Sequence, residues 1–525
     1  MRHKLWRGTS IVASMTLLSR IMGFVRDATM AILFGAGPAF DAFVIAFKIP
    51  NLMRRLFGEG AFSQAFVPVL AEYRTRESHA QVQQFVNHVA GALACAVALC
   101  VGVMMLCAPQ VVLLFAPGFA HDTARLQLAT HMMTVMSPYL WFIALSAFLG
   151  AVLNTYKKFA IPALMPVVLN IVLVSIAWLW ARYADIPIYI MAWGVLLGGF
   201  IQLGLQVPAL KSLQLVPRLA WGFTDPGVRR VLKLMVPALF GVSVAQISLL
   251  LDSFFASFLK AGSISWLYYA DRLIYLPLGV IGVALATVVL PYLAQYHSQR
   301  AMHQYAATLD WALRTILLIG FPAALALALL AGPILATLMG HGAFHQYDVL
   351  MSAQALVAYT VGLPAFMAVK ILASAFYARQ DVKTPVRIAV GCVVVNILCN
   401  LALIHVLLHV GLALSTAISS IVNATALAWI LKRRGIYQVS PGWGQFSARL
   451  LLANGVLAGG LWCCRGSLDV WMQCGVWMRT SWLIALMAGG FCLYWLMLYV
   501  AGFRLRDVRP PADEPLAEGE VLCAS

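Results

Sequence analysis

The sequence predicts an all-α polytopic membrane protein of about fourteen transmembrane helices, with two pseudo-symmetric six-helix lobes and a C-terminal helix pair. Three observations support this prediction. Of the 525 residues, 62% are hydrophobic and only 10% are charged, whereas a soluble domain carries about 25% charged residues. Apolar runs of about 20 residues, long enough to cross a bilayer, recur along nearly the whole chain. Three segments of the first half also recur, in order, in the second half.

The apolar runs define the expected helices in order. The spans lie near residues 10–34, 40–70, 86–116, 126–153, 160–181, 187–207, 234–259, 264–296, 306–339, 348–377, 384–404, 411–431, 446–464 and 480–502. The N-terminus resembles a signal peptide, but Arg20 and Arg26 interrupt its apolar region and no small-residue cleavage site precedes them. We therefore expect an uncleaved first helix. Residues 208–233 are expected to form a linker, and residues 504–525 a disordered cytoplasmic tail.

An internal repeat defines the domains. FVPVLAEY at 66–73 recurs loosely as VVLPYLAQY at 288–296, APQVVLLFAPGF at 108–119 as AGPILATLMGHGAF at 331–344, and NTYKKFAIP…VVLN at 154–170 as AFYARQDVKTP…VVVN at 375–396. Serial matches at one offset indicate duplication. We expect lobes at 1–210 and 225–435, two extra helices at 445–503 and the tail at 504–525. Because six is even, both lobes insert the same way, as in transporters with parallel repeats, and leave a cavity between them.

The basic residues predict the orientation in the membrane. Of the 36 Lys and Arg, 22 lie on the same side of the membrane as the N-terminus and five lie on the opposite side, if the predicted spans cross in turn. This asymmetry places both termini in the cytoplasm. A net charge of +17 would suggest a nucleic-acid partner in a soluble protein, but in a membrane protein the placement of the basic residues is more informative than their total. Nine basic residues remain embedded in the spans: Arg20, Arg26, Lys48, Arg54, Arg55, Arg272, Arg314, Lys370 and Arg449.

Seven of the embedded cations (all except Arg314 and Arg449) predict a cavity that holds an anion. A cation at the bilayer centre costs roughly 2.5–3.5 kcal/mol on insertion scales and usually faces a bundle interior or a water-filled cavity. Arg20 and Arg26 lie six residues apart on the first helix, and Gly23 between them would allow a bend. Arginine offers a planar fork that matches phosphate oxygens and keeps its charge when it is desolvated.

The second helix carries the densest set of charges. Asp41, Lys48 and Arg55 are spaced by sevens and share one helical face, with Glu59 one turn beyond Arg55. Two interpretations stay open for these four residues, which either bind substrate or form internal salt bridges. The second interpretation leaves Arg54 without an evident partner. The predicted substrate-binding residues of this run are Asp41, Lys48, Asn51, Arg54, Arg55 and Glu59.

The second lobe contributes further candidates. Arg272, in YYADRLIYLPLG, is expected on the opposing wall of the anion site. Lys370 lies in an apolar run and could equally bind substrate or extend to the interface, because a long side chain can reach water from within a span. A separate polar group could bind Na⁺, carry a proton at its acid, or only pack. It consists of Asp252, Asn396, Asn400 and Thr416.

Other motifs exclude several functions. The sequence has no GxxxxGK[ST] loop, no Cys/His spacing typical of zinc, and no catalytic arrangement on a large external loop. We expect neither catalysis nor a bound cofactor beyond a coupling Na⁺ or H⁺. Cys463, Cys464 and Cys474 lie near the last external loop, where a disulfide could form.

The segment SRIMGFVRDATMAILFGAGPAFDAFVIAFKIPNLMRRLFGEGAFSQAFVPVLAEY, residues 19–73, closely resembles the MurJ (MviN) family of bacterial lipid II flippases. The similarity continues through GVSVAQISLLLDSFFASFL, SWLYYADRL and FYARQDVKTPV, and so covers nearly the whole chain. It implies the fold of the multidrug/oligosaccharidyl-lipid/polysaccharide (MOP) exporter superfamily, with the last two helices helping to form a groove for a lipid tail. The implied substrate is lipid II, the undecaprenyl-diphosphate disaccharide–pentapeptide of peptidoglycan synthesis.

The resemblance also implies roles for individual residues. Arg20, Arg26, Arg54 and Arg272 match family arginines that line the cavity, and Asp41 matches a functionally important acid. The implied partners are membrane lipids and cell-wall synthesis enzymes, and the implied location is the bacterial inner membrane, with transport driven by the membrane potential or an ion gradient. Four rival functions stay open: a flippase for another polyprenyl-diphosphate glycan, a drug or cation exporter of the same superfamily, a membrane-embedded glycosyltransferase, and a scaffold for cell-wall enzymes.

Overall fold

The fold is built from helices. The computed structural model describes residues 2–54 and 61–504, excluding the side chains of residues 2–13, 61, 64 and 236–249. The first ten helices are α1 Arg2–Phe34, α2 Pro38–Arg54, α3 Ala61–Arg76, α4 His79–Leu106, α5 Ala108–Phe115, α6 Thr123–Met136, α7 Tyr139–Thr155, α8 Ala160–Trp180, α9 Tyr189–Lys211 and α10 Pro226–Ala256. The next ten are α11 Ser263–Pro277, α12 Val283–Ser298, α13 Met302–Leu329, α14 Ala331–Leu338, α15 Gln346–Thr360, α16 Leu363–Tyr377, α17 Lys383–Arg433, α18 Trp443–Cys464, α19 Leu468–Gln473 and α20 Val476–Val500.

Many of these helices could cross a membrane. Within residues 2–54 and 61–504, nine helical stretches are long and apolar enough to span a bilayer, and the pair α15–α16, bent by 43°, would make a tenth. The prediction of an all-α polytopic protein is confirmed. The count of fourteen stays a prediction: α2 and α3 have 17 and 16 residues, each shorter than the roughly 20 residues of a typical span, and residues 55–60 between them are not described.

Two breaks in the helices follow from local geometry. A π-helical segment, Leu278–Gly282, joins α11 to α12. The long helix α17 breaks at Leu408, where φ is 50° and ψ is −129°, a backbone conformation that L residues rarely adopt. This break lies between the predicted spans 384–404 and 411–431, so the described chain turns where the apolar pattern is interrupted.

The helices form two compact units. The first unit comprises residues 1–272, 338–355 and 400–412, and within it α1 packs on α8, α7 on α9, α8 on α9, α2 on α6 and α3 on α10. The second unit comprises residues 273–337, 356–399 and 413–525, and within it α13 packs on α16 and α18, and α18 on α20. The predicted lobe boundaries at 210 and 225 are not the boundaries of these units and stay a prediction.

The predicted linker is shorter than its apolar pattern suggests. Helix α9 continues to Lys211 and α10 begins at Pro226, because the carboxylate of Asp225 accepts hydrogen bonds from the backbone N–H groups of Gly227 and Val228 and so caps α10. The segment between them lies on α4, where Asn87 accepts the N–H of Arg218 at 2.8 Å. The linker is therefore residues 212–225 and is held against the bundle, in contrast to the predicted 208–233.

The turn before α17 is stabilised by a carboxylate. Asp381 accepts the backbone N–H of Thr384 at 3.0 Å and its hydroxyl at 2.7 Å, and it pairs with Arg434 at 2.7 Å. Burial raises the pKa of Asp381, but the hydrogen bonds from Thr384 and Arg434 outweigh burial and lower the pKa to about 2. The ionised carboxylate therefore stabilises the start of this helix.

A close backbone approach occurs at Gly118. Its N–H donates to the hydroxyl of Ser257 at 2.9 Å, and a Cβ at this position would lie 2.2 Å from the carbonyl oxygen of Ser257. Only glycine fits such an approach without a backbone shift. By contrast, a Cβ at Gly102 would meet no atom within 4 Å.

The cysteines of the described chain are all free thiols. These include Cys463, Cys464 and Cys474, for which the sequence left a disulfide open. The structure therefore provides no disulfide near the last predicted external loop.

Candidate functional site

The candidate site is centred on Asp27, a carboxylate of α1 that holds two arginines. Arg26 donates to Asp27 Oδ1 from Nε at 3.0 Å and from Nη2 at 2.7 Å. Arg272 of α11 places Nε 3.4 Å from Asp27 Oδ2, and this ion pair lacks hydrogen-bond geometry, since the Nε of Arg272 has no hydrogen-bond acceptor. Tyr268, one turn before Arg272, donates its hydroxyl to Asp27 Oδ1 at 2.8 Å. Two arginines distant in sequence therefore share one buried carboxylate.

Helix α8 completes the cluster with an amide. Asn170 accepts a hydrogen bond from Arg26 Nη1 at 3.0 Å and donates to the backbone carbonyl of Ser19 at 3.4 Å. Its Nδ2 would lie 3.6 Å from a Cβ at Gly23, the distance of an ordinary van der Waals contact, so the amide packs directly against α1. We name the group Arg26, Asp27, Asn170, Tyr268 and Arg272 the Asp27 cluster.

The two arginines of the Asp27 cluster differ in accessibility. The side chain of Arg26 is 11% exposed and that of Arg272 is 35% exposed. The guanidinium of Arg272 also lies over the ring of Tyr268, 4.6 Å from its centroid, which orients it. Since Asp271 precedes Arg272 in the chain, the region holds both charge signs. The feature suited to an anion is the partly exposed side chain of Arg272 with its oriented guanidinium, and Arg26 serves to hold Asp27.

Asp41 lies in a different environment, at the start of α11. Its side chain is fully buried (0% exposed) and accepts the backbone N–H of Gly262 at 2.6 Å, the N–H of Ser265 at 2.8 Å and the Ser265 hydroxyl. Both carboxylate oxygens are therefore bonded to the N-terminal turn of α11, the helix that carries Arg272. Asp41 therefore positions α11, because its hydrogen bonds join α2 to the start of that helix.

The remaining predicted cations of the first unit are spread along α1 and α2. Lys48 donates a hydrogen bond to the hydroxyl of Ser253 on α10, the residue after Asp252. Arg54 donates from Nε to Asn51 Oδ1 at 3.0 Å, one turn away on α2. Arg20 is exposed on α1, and the described side chains give it no hydrogen bond or ion pair. Arg55 and Glu59 lie outside the described residues.

The other predicted site residues are divided between the two units. Lys370 is exposed on α16 in the second unit, and Asn396 donates to the hydroxyl of Thr416 there at 3.3 Å. Asp252 and Asn400 belong to the first unit, where Asn400 is buried. Across the described residues, no group of three or more His, Cys, Asp or Glu side chains could hold a metal ion. A coupling-ion site at Asp252, Asn396, Asn400 and Thr416 therefore stays a prediction.

The structure adds residues that sequence reasoning did not select. Asn170, Tyr268, Ser253 and Ser265 contact predicted site residues. Asn170 could have been selected, because an amide inside the apolar helix α8 needs a hydrogen-bond partner. Tyr268 and Ser265 carry no such signal, since aromatic and hydroxyl residues are common in membrane helices.

The fold and the site define a polytopic α-helical membrane protein with charged side chains buried among its helices. An inward-facing multidrug resistance MATE family transporter of the MOP superfamily aligns with a TM-score of 0.66 at 14% identity, covering 81% of this chain and 97% of that chain, which shows the fold alone. A lipid II flippase MurJ in an inward closed conformation aligns with a TM-score of 0.77 at 26% identity, covering 93% of this chain and 98% of that chain.

The family follows from the sequence comparisons. The family described as lipid II flippase MurJ matches residues 30–479. The lipid II flippase MurJ of Burkholderia cenocepacia is 43% identical over 510 residues, covering 95% of this chain and 98% of that protein. The probable lipid II flippase MurJ of Vibrio cholerae is 40% identical over 517 residues, covering 97% of this chain and 98% of that protein. This chain belongs to the MurJ lipid II flippase family, a family of transporters and not of enzymes.

Proposed function

We propose that this chain flips lipid II, or a closely related polyprenyl-diphosphate glycan, from the cytoplasmic to the outer leaflet by alternating access. The family membership supports the substrate class. The observation that carries the mechanism is Arg272, whose guanidinium is held by Asp27 and Tyr268 while 35% of its side chain stays exposed. A fixed guanidinium fork suits the diphosphate, because Arg can donate two parallel hydrogen bonds to phosphate oxygens.

The predicted site residues take graded roles in this proposal. Arg272 and the exposed Arg20 contact the diphosphate, and Arg26 keeps Asp27 and Asn170 in place. Lys48, Asn51, Arg54, Arg55, Glu59 and Lys370 are further candidates for the headgroup. Asp41 acts indirectly, through the N-terminal turn of α11. Substitution of Arg272 therefore weakens substrate binding, whereas substitution of Asp41 misplaces the helix that carries it.

Orientation and driving force follow from charge. The excess of Lys and Arg on one side of the predicted spans supports an inner-membrane protein with both termini in the cytoplasm. With the inside of the cell negative, outward movement of an anion is favoured by about 2.3 kcal/mol per charge per 100 mV. A coupling ion at Asp252, Asn396, Asn400 or Thr416 could add to this driving force.

Complementation tests the proposal. The native flippase is depleted from a bacterium, this chain is expressed, and externally exposed lipid II headgroup is measured. We expect exposure with the wild-type chain, about a tenfold or greater loss with Arg272→Ala, and partial recovery with Arg272→Lys, because lysine keeps the charge but not the fork. If a folded wild-type chain restores no exposure, lipid II is not its substrate. If Arg272→Ala restores it fully, this arginine does not bind the headgroup.

A further inference from the structure

Two embedded arginines take no part in the Asp27 cluster. Arg314 lies on α13 and Arg449 on α18, both in the second unit. They line a cleft of about 270 Å³ together with Thr315, Leu318, Gly442, Gln445, Phe446 and Phe503. We name it the α13–α18 cleft. It brings together two guanidiniums and apolar side chains in one concave site.

Arg314 is fixed from several sides. Its Nε lies 2.9 Å from Asp310 Oδ2, one turn earlier on α13, and its Nη2 donates to the carbonyl oxygen of Pro441 at 3.0 Å. Asp310 is itself oriented, since its Oδ1 accepts the Tyr437 hydroxyl and the Trp443 Nε1, each at 2.7 Å. The charge of Arg314 is therefore balanced by Asp310, and its planar fork is held in place.

Arg449 differs, because no described residue neutralises it. It is half-buried and makes no hydrogen bond or ion pair with the described side chains or backbone. It lies beside Gly502, where a Cβ would be 3.6 Å from its Nη2. With Arg314 balanced by Asp310, the described residues leave one uncompensated positive charge in the α13–α18 cleft, which matches a ligand with one negative charge.

The lining and the predicted membrane position indicate the chemistry of that ligand. Leu318, Phe446 and Phe503 add apolar surface beside the guanidiniums. The predicted topology places the starts of α13 and α18 and the end of α20 on the cytoplasmic side, where the leaflet carries anionic lipids. Basic pockets between helices on the cytoplasmic side of a membrane suit the phosphate headgroups of lipids. A diacylglycerol with a monoanionic phosphodiester matches the single positive charge of the cleft, and its acyl chains match the apolar lining.

We propose that the α13–α18 cleft binds the phosphodiester headgroup of a monoanionic glycerophospholipid, with Arg449 as the main charge contact and Arg314 as the fixed second donor. The site is separate from the Asp27 cluster and does not depend on the transport substrate. Free inorganic phosphate has the same recognition chemistry, but it lacks the acyl chains that the apolar lining would contact.

Lipid binding to the purified full chain tests this proposal. The protein is delipidated in detergent and titrated with dioleoylphosphatidylglycerol or dioleoylphosphatidylcholine, and bound lipids are counted by native mass spectrometry. We expect one tight phosphatidylglycerol site that Arg449→Gln weakens about tenfold, the loss of roughly one charge-assisted hydrogen bond. Arg449→Lys should recover part of the affinity. Arg387→Gln is the matched control, because Arg387 is an exposed arginine outside the cleft.

Further arms separate the alternatives. Arg314→Gln should also weaken phosphatidylglycerol binding. If that variant misfolds, the comparison of Arg449→Gln with Arg449→Lys still tests the proposal. Arg272→Ala should leave the tight lipid site intact, so that failure here and failure of the proposed transport function are distinguishable. Since residues 505–525 contain acidic side chains, a chain ending at Arg504 should bind the lipid with unchanged affinity.

Several results would overturn the proposal. Equal phosphatidylglycerol affinity in Arg449→Gln and Arg387→Gln would show that the cleft is not the site. Equal affinity for phosphatidylcholine would remove the charge argument. Competition by millimolar inorganic phosphate without any dependence on acyl chains would identify a free anion as the ligand. Lipid binding that appears only after truncation at Arg504 would identify the acidic tail as the native occupant.

Discussion

Replacement of Asp41 by asparagine tests how α11 is positioned. The carboxylate accepts three hydrogen bonds, from the N–H groups of Gly262 and Ser265 and from the Ser265 hydroxyl. Asparagine keeps one acceptor oxygen and places an NH₂ group against a donor. Loss of one charge-assisted bond costs roughly 1.5–3 kcal/mol and burial of an unpaired N–H roughly 1–3 kcal/mol, so we expect a destabilisation of about 3–5 kcal/mol.

Ser265→Ala provides the internal comparison. This change removes only the hydroxyl donor and leaves both N–H groups bonded to Asp41, so the expected cost is about 1.5 kcal/mol, the lower end of the range for one charge-assisted bond. Asp185→Asn is the matched control, because Asp185 is exposed and surface changes usually stay within about 0.5 kcal/mol.

The assay is unfolding of the purified protein in detergent, by chemical denaturation with tryptophan fluorescence and by the thermal midpoint. We expect the stability order wild type, Asp185→Asn, Ser265→Ala and Asp41→Asn, with the last well separated from the others. If Asp41→Asn lies within 0.5 kcal/mol of wild type, or if Ser265→Ala is as unstable as Asp41→Asn, the carboxylate does not stabilise the N-terminal turn of α11.

Three further outcomes are expected. Asp27→Asn should destabilise the protein by about 3 kcal/mol, because it removes the buried carboxylate that the guanidiniums of Arg26 and Arg272 share. Glu77→Gln, a change at an exposed residue, should have little effect. Equal unfolding curves for the two variants would contradict this prediction. The ionised carboxylate of Asp381 should stabilise the protein by at most about 2 kcal/mol. This stabilisation should be fully present above pH 4 and be lost as the pH falls through about 2, so the thermal midpoints of wild type and Asp381→Asn should converge only in acid. A difference between the two midpoints that does not depend on pH would contradict this prediction. Gly118→Ala should cost more than about 2 kcal/mol, because its Cβ would overlap a backbone carbonyl, whereas Gly102→Ala should not destabilise; similar midpoints for both variants would show that the close approach relaxes.

The sequence predicted the fold class because apolar runs of spanning length leave few alternatives to membrane helices. It also located the break in α17, since the apolar pattern is interrupted between 404 and 411. The start of α10 was misplaced: hydropathy marks where a helix enters the membrane, and this helix begins earlier, at the Asp225 cap. The apolar pattern therefore locates spans better than helix ends.

For the site, the sequence identified charged residues but not their partners. Arg26 and Arg272 stood out because ionised groups are rare in membrane helices, whereas Asp27, which both contact, was not among the predicted site residues. Nothing in the spacing indicated that Asp27 pairs with an arginine some 245 residues later, since that contact depends on tertiary packing. The seven-residue spacing of Asp41, Lys48 and Arg55 suggested a single charged face, yet Asp41 contacts α11 and Lys48 contacts α10.

The most direct test of the central claim is the affinity of the purified protein for lipid II. Wild type, Arg272→Ala, Arg272→Lys and the control Arg387→Gln are titrated with lipid II and with undecaprenol, which lacks the diphosphate. We expect Arg272→Ala to weaken lipid II binding about tenfold or more and to leave undecaprenol binding unchanged. The lipid II affinity of Arg272→Lys should lie between those of wild type and Arg272→Ala, and that of Arg387→Gln should equal the wild-type affinity. Equal lipid II affinity in folded wild type and Arg272→Ala would contradict diphosphate capture by the Asp27 cluster.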